Sequence, residues 1–84
     1  MAEVVSINIS NDSKYVIAVI DETEQLFWIR FYNLHTEELV FEEKIAGEYI
    51  KCKEMEQNSE GTVFSMVYID NGTFYLRTFD NTVI

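Results

Sequence analysis

Apolar and polar positions alternate from the first residues onward. In EVVSINIS (3–10) Val5, Ile7 and Ile9 fall on one side of an extended chain, with Ser6, Asn8 and Ser10 on the other. That pattern predicts a half-buried strand. The turn-forming cluster SNDSK (10–14) interrupts it, and YVIAVI (15–20) follows as a near-continuous apolar run, as expected for a strand covered on both faces. DETEQ (21–25) is a polar connection to LFWIRFYNL (26–34), a long aromatic and β-branched segment. VFSMVYI (63–69), DNG (70–72) and TFYLRTF (73–79) together predict a hairpin, because Asn71-Gly72 suits the positive-φ positions of a tight turn between paired strands.

The middle of the chain supports two readings. A helix over about 37–57 places Phe41, Ile45, Tyr49 and Cys52 roughly on one stripe, with acids early and lysines later to suit the helix dipole. It would make the fold α+β, with that helix packed on an antiparallel sheet. Two strands broken near Ala46-Gly47 instead put Leu39, Phe41 and Ile45 on one face and start the next strand at Ile50 and Cys52. Gly47 within a helix would cost ~1 kcal/mol relative to Ala.

A repetition favours strands. FWIRFYN (27–33) and FYLRTFD (74–80) both read aromatic–aromatic–aliphatic–Arg, and a shift of 47 also superposes Asn11 on Asn58 and Val16 on Val63. A period of that size is within the range of four-stranded propeller blades. Residues 37–47 would then be the outermost strand of a first unit. The expected fold is mainly β: antiparallel meander sheets in a single module, 1–84, with one repeat unit at about 3–47 and a partial second at about 50–84.

Those segments resemble the blades of a WD-repeat-like β-propeller. SNDSKYV (10–16) is similar to the family's Ser-Pro-Asp-Gly-Lys-Tyr-Leu turn, and IRFYNLHTEEL (29–39) to its Ile-Arg-Val-Trp-Asp-Leu strand with a Thr-Gly-Glu turn. NSEGTVF and LRTFDN stand at the matching places of the second unit. Tyr32-Asn33 and Phe79-Asp80 replace the family's Trp-Asp pair, and no Gly-His dipeptide opens either unit, so its hydrogen-bond relay is not implied. The resemblance implies about one and three-quarter blades, too few to close a ring. Such a chain would be part of a longer protein, would oligomerise, or would complete a partner's ring.

Charge narrows the partners. Fifteen acidic against six basic side chains give a net charge of −9, and eight of the acids lie within 37–60. A chain this negative repels phosphate backbones and anionic lipid, so direct nucleic-acid or membrane binding is not expected. The excess reads either as a solvated surface that keeps a β-rich chain soluble or as a face for a basic protein partner. The candidate acidic surface is Glu37, Glu38, Glu42, Glu43, Glu48, Glu54 and Glu56. Cys52 is the single cysteine, which leaves no disulfide framework. With no signal-peptide pattern at MAEVVSINIS, the expected compartment is a reducing one, the cytoplasm.

Candidate chemistry is sparse. His35, the single histidine, sits in a turn-like NLHTEE segment and reads as an exposed turn residue rather than a general base; Cys52, between two lysines that would lower its pKa and make it reactive, reads rather as a partly buried strand thiol. No phosphate loop, nucleophile elbow or metal-spaced cluster is present in the sequence. DETE and DNG carry oxygen ligands of the kind calcium takes, but neither has the alternating spacing of a dedicated site. No cofactor, metal site or enzymatic activity is expected. Arg30 and Arg77 stand inside otherwise apolar segments, each on the side of the strand that carries Trp28 and Tyr32 or Tyr75 and Phe79. Each is read either as an Arg stacked on aromatics and paired with a cross-strand carboxylate, or as part of an interaction surface formed by those six residues. IRFY is also similar to the Ile-Arg-x-Tyr strand of small two-blade fucose-binding lectins, which implies sugar binding as a third possibility. The leading expectation is a non-enzymatic protein–protein interaction module whose partner is another protein or further copies of itself. The alternative is a small acidic inhibitor that occupies the basic nucleic-acid site of a target enzyme.

Overall fold

The structure, a computed structural model, describes residues 3–10, 12–52 and 62–80, with the side chains of Lys51, Cys52, Thr62 and Val63 outside the description. Within these residues seven strands follow one another: β1 (Glu3–Ile9), β2 (Tyr15–Thr23), β3 (Leu26–Asn33), β4 (Leu39–Ala46), β5 (Glu48–Cys52), β6 (Thr62–Asp70) and β7 (Thr73–Asp80). They form a first sheet in the order β1-β2-β3-β4 and a second in the order β5-β6-β7, every neighbouring pair antiparallel. The described residues contain no helix, and none could therefore cross a membrane as one. The fold is mainly β, built from antiparallel meanders.

A helix over 37–57 is thereby overturned for residues 39–52; residues 53–57 lie outside the description. The period-two pattern prevails because β3 offers a matching row. Phe41 stands opposite Phe31 and Ile45 opposite Phe27, with Glu43 between them opposite Ile29. Gly47 supplies the break, at a φ of 132° that L side chains rarely adopt.

Local chemistry fixes the turns. Between β1 and β2 the Ser10 hydroxyl donates to Asp12 Oδ1 at 2.6 Å and accepts from the Tyr15 N–H at 3.1 Å, while Asp12 also accepts from the Lys14 N–H. That hydroxyl is what allows Ser10 to be buried. After β3, Asn33 Oδ1 accepts from the His35 and Thr36 N–H groups, so His35 lies exposed on a capped turn. Between β6 and β7, Asn71 and Gly72 have φ of 53° and 80°, the sign required by the hairpin turn that follows strand twist.

The core lies between the sheets. Ile17 and Val19 of β2, Phe27, Ile29 and Phe31 of β3 and Ile45 of β4 pack against Phe64 and Met66 of β6 and Phe79 of β7. The Phe31 ring lies 5.4–6.1 Å from those of Tyr15, Phe41, Phe64 and Phe79. Among the described residues no buried side-chain polar atom lacks a hydrogen-bond partner.

β1 departs from its sequence pattern. A bulge between Val4 and Ser6 resets its pairing, and Ser6 and Asn8 face the inter-sheet side, opposite Val19 and Ile17. The apolar row points the other way, with Ile7 67% and Ile9 60% exposed. Alternation identified the strand; it could not say which side the protein covers.

The strand bounds recur. β2 and β6 begin at residues 15 and 62, β3 and β7 at 26 and 73, so both offsets are 47. The pairing differs in one detail. The bulge of the first hairpin lies near its turn, between Asp21 and Thr23, whereas that of the second lies at the far end, between Thr62 and Phe64. Phe64 consequently stands opposite Phe79, one position later than the pairing of Ile17 with Phe31 would give.

At Gly47 an added Cβ would lie 2.6 Å from the Ile69 carbonyl oxygen, whereas at Gly72 it would meet nothing within 4 Å. Gly47→Ala is expected to lower the unfolding free energy by about 2–4 kcal/mol, from strained φ plus overpacking, and Gly72→Ala by about 1–2 kcal/mol from φ alone. Urea unfolding checks this; equal losses would show that the sheet junction is not sterically constrained.

Candidate functional site

The two arginines are held by neighbouring carboxylates of one strand. Glu42 and Glu43 are consecutive on β4, so they project to opposite faces of the first sheet. On the open face, Arg30 Nε donates to Glu42 Oε2 at 2.6 Å, across the register that places the two residues opposite each other. Its guanidinium carbon lies 5.6 Å from the Trp28 ring centroid, and Lys44 Nζ lies 5.2 Å from the same ring, 3.5 Å from Glu22 Oε2. Burial pulls the Arg30 guanidinium down, but hydrogen bonds and charge attraction from Glu42 and Tyr32 outweigh it and leave it above its ordinary value.

On the inter-sheet face, Arg77 reaches from β7 to β4. Its two terminal nitrogens donate to both oxygens of Glu43, at 2.5 and 2.9 Å, and its guanidinium carbon lies 4.7 Å from the Phe79 centroid. The hydrogen bonds to Glu43 raise the guanidinium above its ordinary value against the opposing effect of burial. A raised folded value means that the stabilisation is complete below the unfolded value and is lost only as pH rises through the folded one. Both arginines are therefore fully charged through the neutral range and add no pH dependence there.

The six aromatic and arginine candidates thus divide. Trp28, Arg30 and Tyr32 share the open face of the first sheet, whereas Arg77 and the buried Phe79 belong to the inter-sheet contact. Tyr75 is 43% exposed and stacks on Tyr68, centroids 5.2 Å apart, at the margin of that contact. Both arginines have the aromatic neighbour and carboxylate partner anticipated in one reading of the sequence. For Arg77 that partner is on the other sheet.

The acidic candidates are dispersed. Glu37 and Glu38 are exposed in the turn before β4, Glu42 and Glu43 hold the arginines, Glu48 is exposed at the start of β5, and Glu54 and Glu56 lie outside the described residues. What sequence reasoning missed is an open groove of about 790 Å³ where the two hairpin turns meet the junction at Gly47. Asp21, Glu24, Glu48 and Asp70 line it, which brings DETE and DNG to one place. The signal was available, since Glu24-Gln25 and Asn71-Gly72 are the corresponding turns of the two hairpins. Among the described residues no cluster of three or more His, Cys, Asp or Glu is placed to hold a metal ion. The Cys52 side chain is outside the description.

Two apolar surfaces lie open. On the first sheet Val4, Ile7 and Ile9 are 54%, 67% and 60% exposed, on the same face as Trp28. On the second sheet Phe74 and Leu76 are 68% and 57% exposed, opposite Ile69 and Val67 on the side away from the core.

Comparison of the chain with protein-family models, with curated proteins and with solved structures finds no match.

The bidentate inter-sheet pair is expected to couple more strongly than the single-bonded surface pair. A double-mutant cycle of Arg77→Gln and Glu43→Gln should return about 1–2 kcal/mol, and the cycle of Arg30→Gln with Glu42→Gln less than about 1 kcal/mol, both read from urea unfolding. A reversed order would mean that the sheets are not held together through Glu43.

Proposed function

We propose that this chain is a non-enzymatic protein–protein interaction module, a set of propeller-blade-like sheets that contributes binding surface to a larger assembly. The observation that carries this reading is the pair of open apolar sheet faces, Ile7 and Ile9 on one side of the molecule and Phe74 and Leu76 on the other. Exposed apolar side chains on contiguous strand faces mark interaction surfaces, and a sheet face ordinarily packs on another layer. Trp28, Arg30 and Tyr32 add the aromatic and arginine content enriched at protein interfaces. The recurrence of strand bounds at an offset of 47 supports the likeness to WD-type blades. Its partners are proteins rather than nucleic acid or membrane, consistent with the charge of −9, and its compartment is a reducing one such as the cytoplasm.

The acidic groove favours a second reading. Four acidic residues drawn from both sheets line it, which suits a basic partner and an inhibitor that mimics nucleic acid. Sedimentation velocity combined with urea unfolding across the micromolar range separates the two. An interaction module is expected to self-associate, or to unfold at a urea midpoint that rises with concentration. A cooperatively folded monomer with a concentration-independent midpoint would overturn that reading. The inhibitor reading would then gain, with partner binding that weakens steeply as salt increases.

A further inference from the structure

The contact between the two sheets contains the pattern of its own continuation. From the first sheet it uses the β3 row Phe27, Ile29 and Phe31; from the second it uses the β7 row that carries Arg77 and Phe79, beside Phe64 and Met66. At the offset of 47 shared by the strand bounds, Phe27 and Ile29 correspond to Phe74 and Leu76. Those two lie exposed on the far side of the second sheet. Trp28, Arg30 and Tyr32 correspond in the same way to Tyr75, Arg77 and Phe79, and they lie on the open side of the first sheet beside the exposed β1 row. Each open face therefore repeats, along its aromatic strand, one side of an interface that the molecule already makes.

We propose that a second copy of this chain occupies these faces head to tail, the open side of its second sheet covering the open side of the first sheet here. The stack of two sheets thereby continues as the internal contact begins, with Phe74 and Leu76 of one copy set against the Ile7, Ile9 and Trp28 face of the other. Because the two faces differ, the contact is heterologous, and every copy donates one face and accepts with the other. This inference rests on the interaction-module reading and names the partner.

The test uses a charge on each face. Ile7 and Leu76 are 67% and 57% exposed, so Ile7→Glu and Leu76→Glu leave the core intact; Ile9→Lys and Phe74→Lys serve as a second pair should either fold poorly. Sedimentation velocity of the unsubstituted chain is expected to show assembly in the micromolar range, and each single variant should weaken it at least about tenfold. An equimolar mixture of the two variants retains one undamaged contact, so it should form a dimer containing one of each. If either variant assembles as well as the unsubstituted chain, or if the mixture stays monomeric while that chain assembles, head-to-tail docking is wrong and the interaction-module reading stands. A stable monomer throughout removes both.

Discussion

The fold depends on how the chain leaves one sheet and enters the next. β4 ends at Ala46 and β5 begins at Glu48, so a single residue makes the passage. Gly47 does so with its N–H donating to the Gln25 carbonyl oxygen at 2.8 Å and with the Ile69 carbonyl oxygen only 2.6 Å from where a Cβ would stand. A connection this short leaves the second sheet little freedom. It must lie across the face of the first that carries Phe27 and Ile45, and this places Tyr49 and Tyr68 5.9 and 5.7 Å from the Phe27 ring. Further along, the same arrangement brings Phe79 to Phe41 and Arg77 to Glu43.

Among the described residues the sheets are held together by aromatic packing and by a polar clasp, the Arg77–Glu43 pair. Tilted and edge-on ring contacts link Phe31, Phe41, Phe64 and Phe79 into a continuous cluster. Such pairs contribute about 0.5–1.5 kcal/mol each beyond the area they bury. The Arg77–Glu43 bridge adds direction, since a bidentate pair holds only at one alignment of β7 on β4. Yet a chain of this length buries only ~60–65% of the surface its unfolded form exposes. Here the remainder includes whole rows of aliphatic side chains, and that links the limits of the core to the proposed role.

Most of the strands were legible in the sequence because their side chains report on the backbone directly. Asn71-Gly72 identified the hairpin, SNDSK the first turn, and β-branched and aromatic runs the central strands. The middle segment remained ambiguous because Phe41, Ile45, Tyr49 and Cys52 fit a helical stripe nearly as well as two strands. The register with β3, a long-range fact, settles it. Two things were not legible. The sequence places Ile7 and Ile9 on one side of β1 but does not reveal that the second sheet packs on the other. It shows two similar arginines but not that Glu42 and Glu43, adjacent in the chain, divide them between opposite faces. The acidic groove is a different case: its two turns correspond at the offset of 47, but its carboxylates come from segments nearly fifty residues apart.

The displaced bulge of the second hairpin bears on how two similar segments come to do different work. In each hairpin one extra residue sits on the earlier strand, Glu22 in one and Val63 in the other. Sliding that surplus from the turn end to the entry end rotates the intervening side chains by half a period without altering length or strand bounds. Phe64 and Met66 thereby join Phe79 in the core instead of facing outward with Phe74. Two segments with the same strand bounds can thus present different inward surfaces through the position of one bulge, with no change in length. Strand pattern and packed surface are then independent variables.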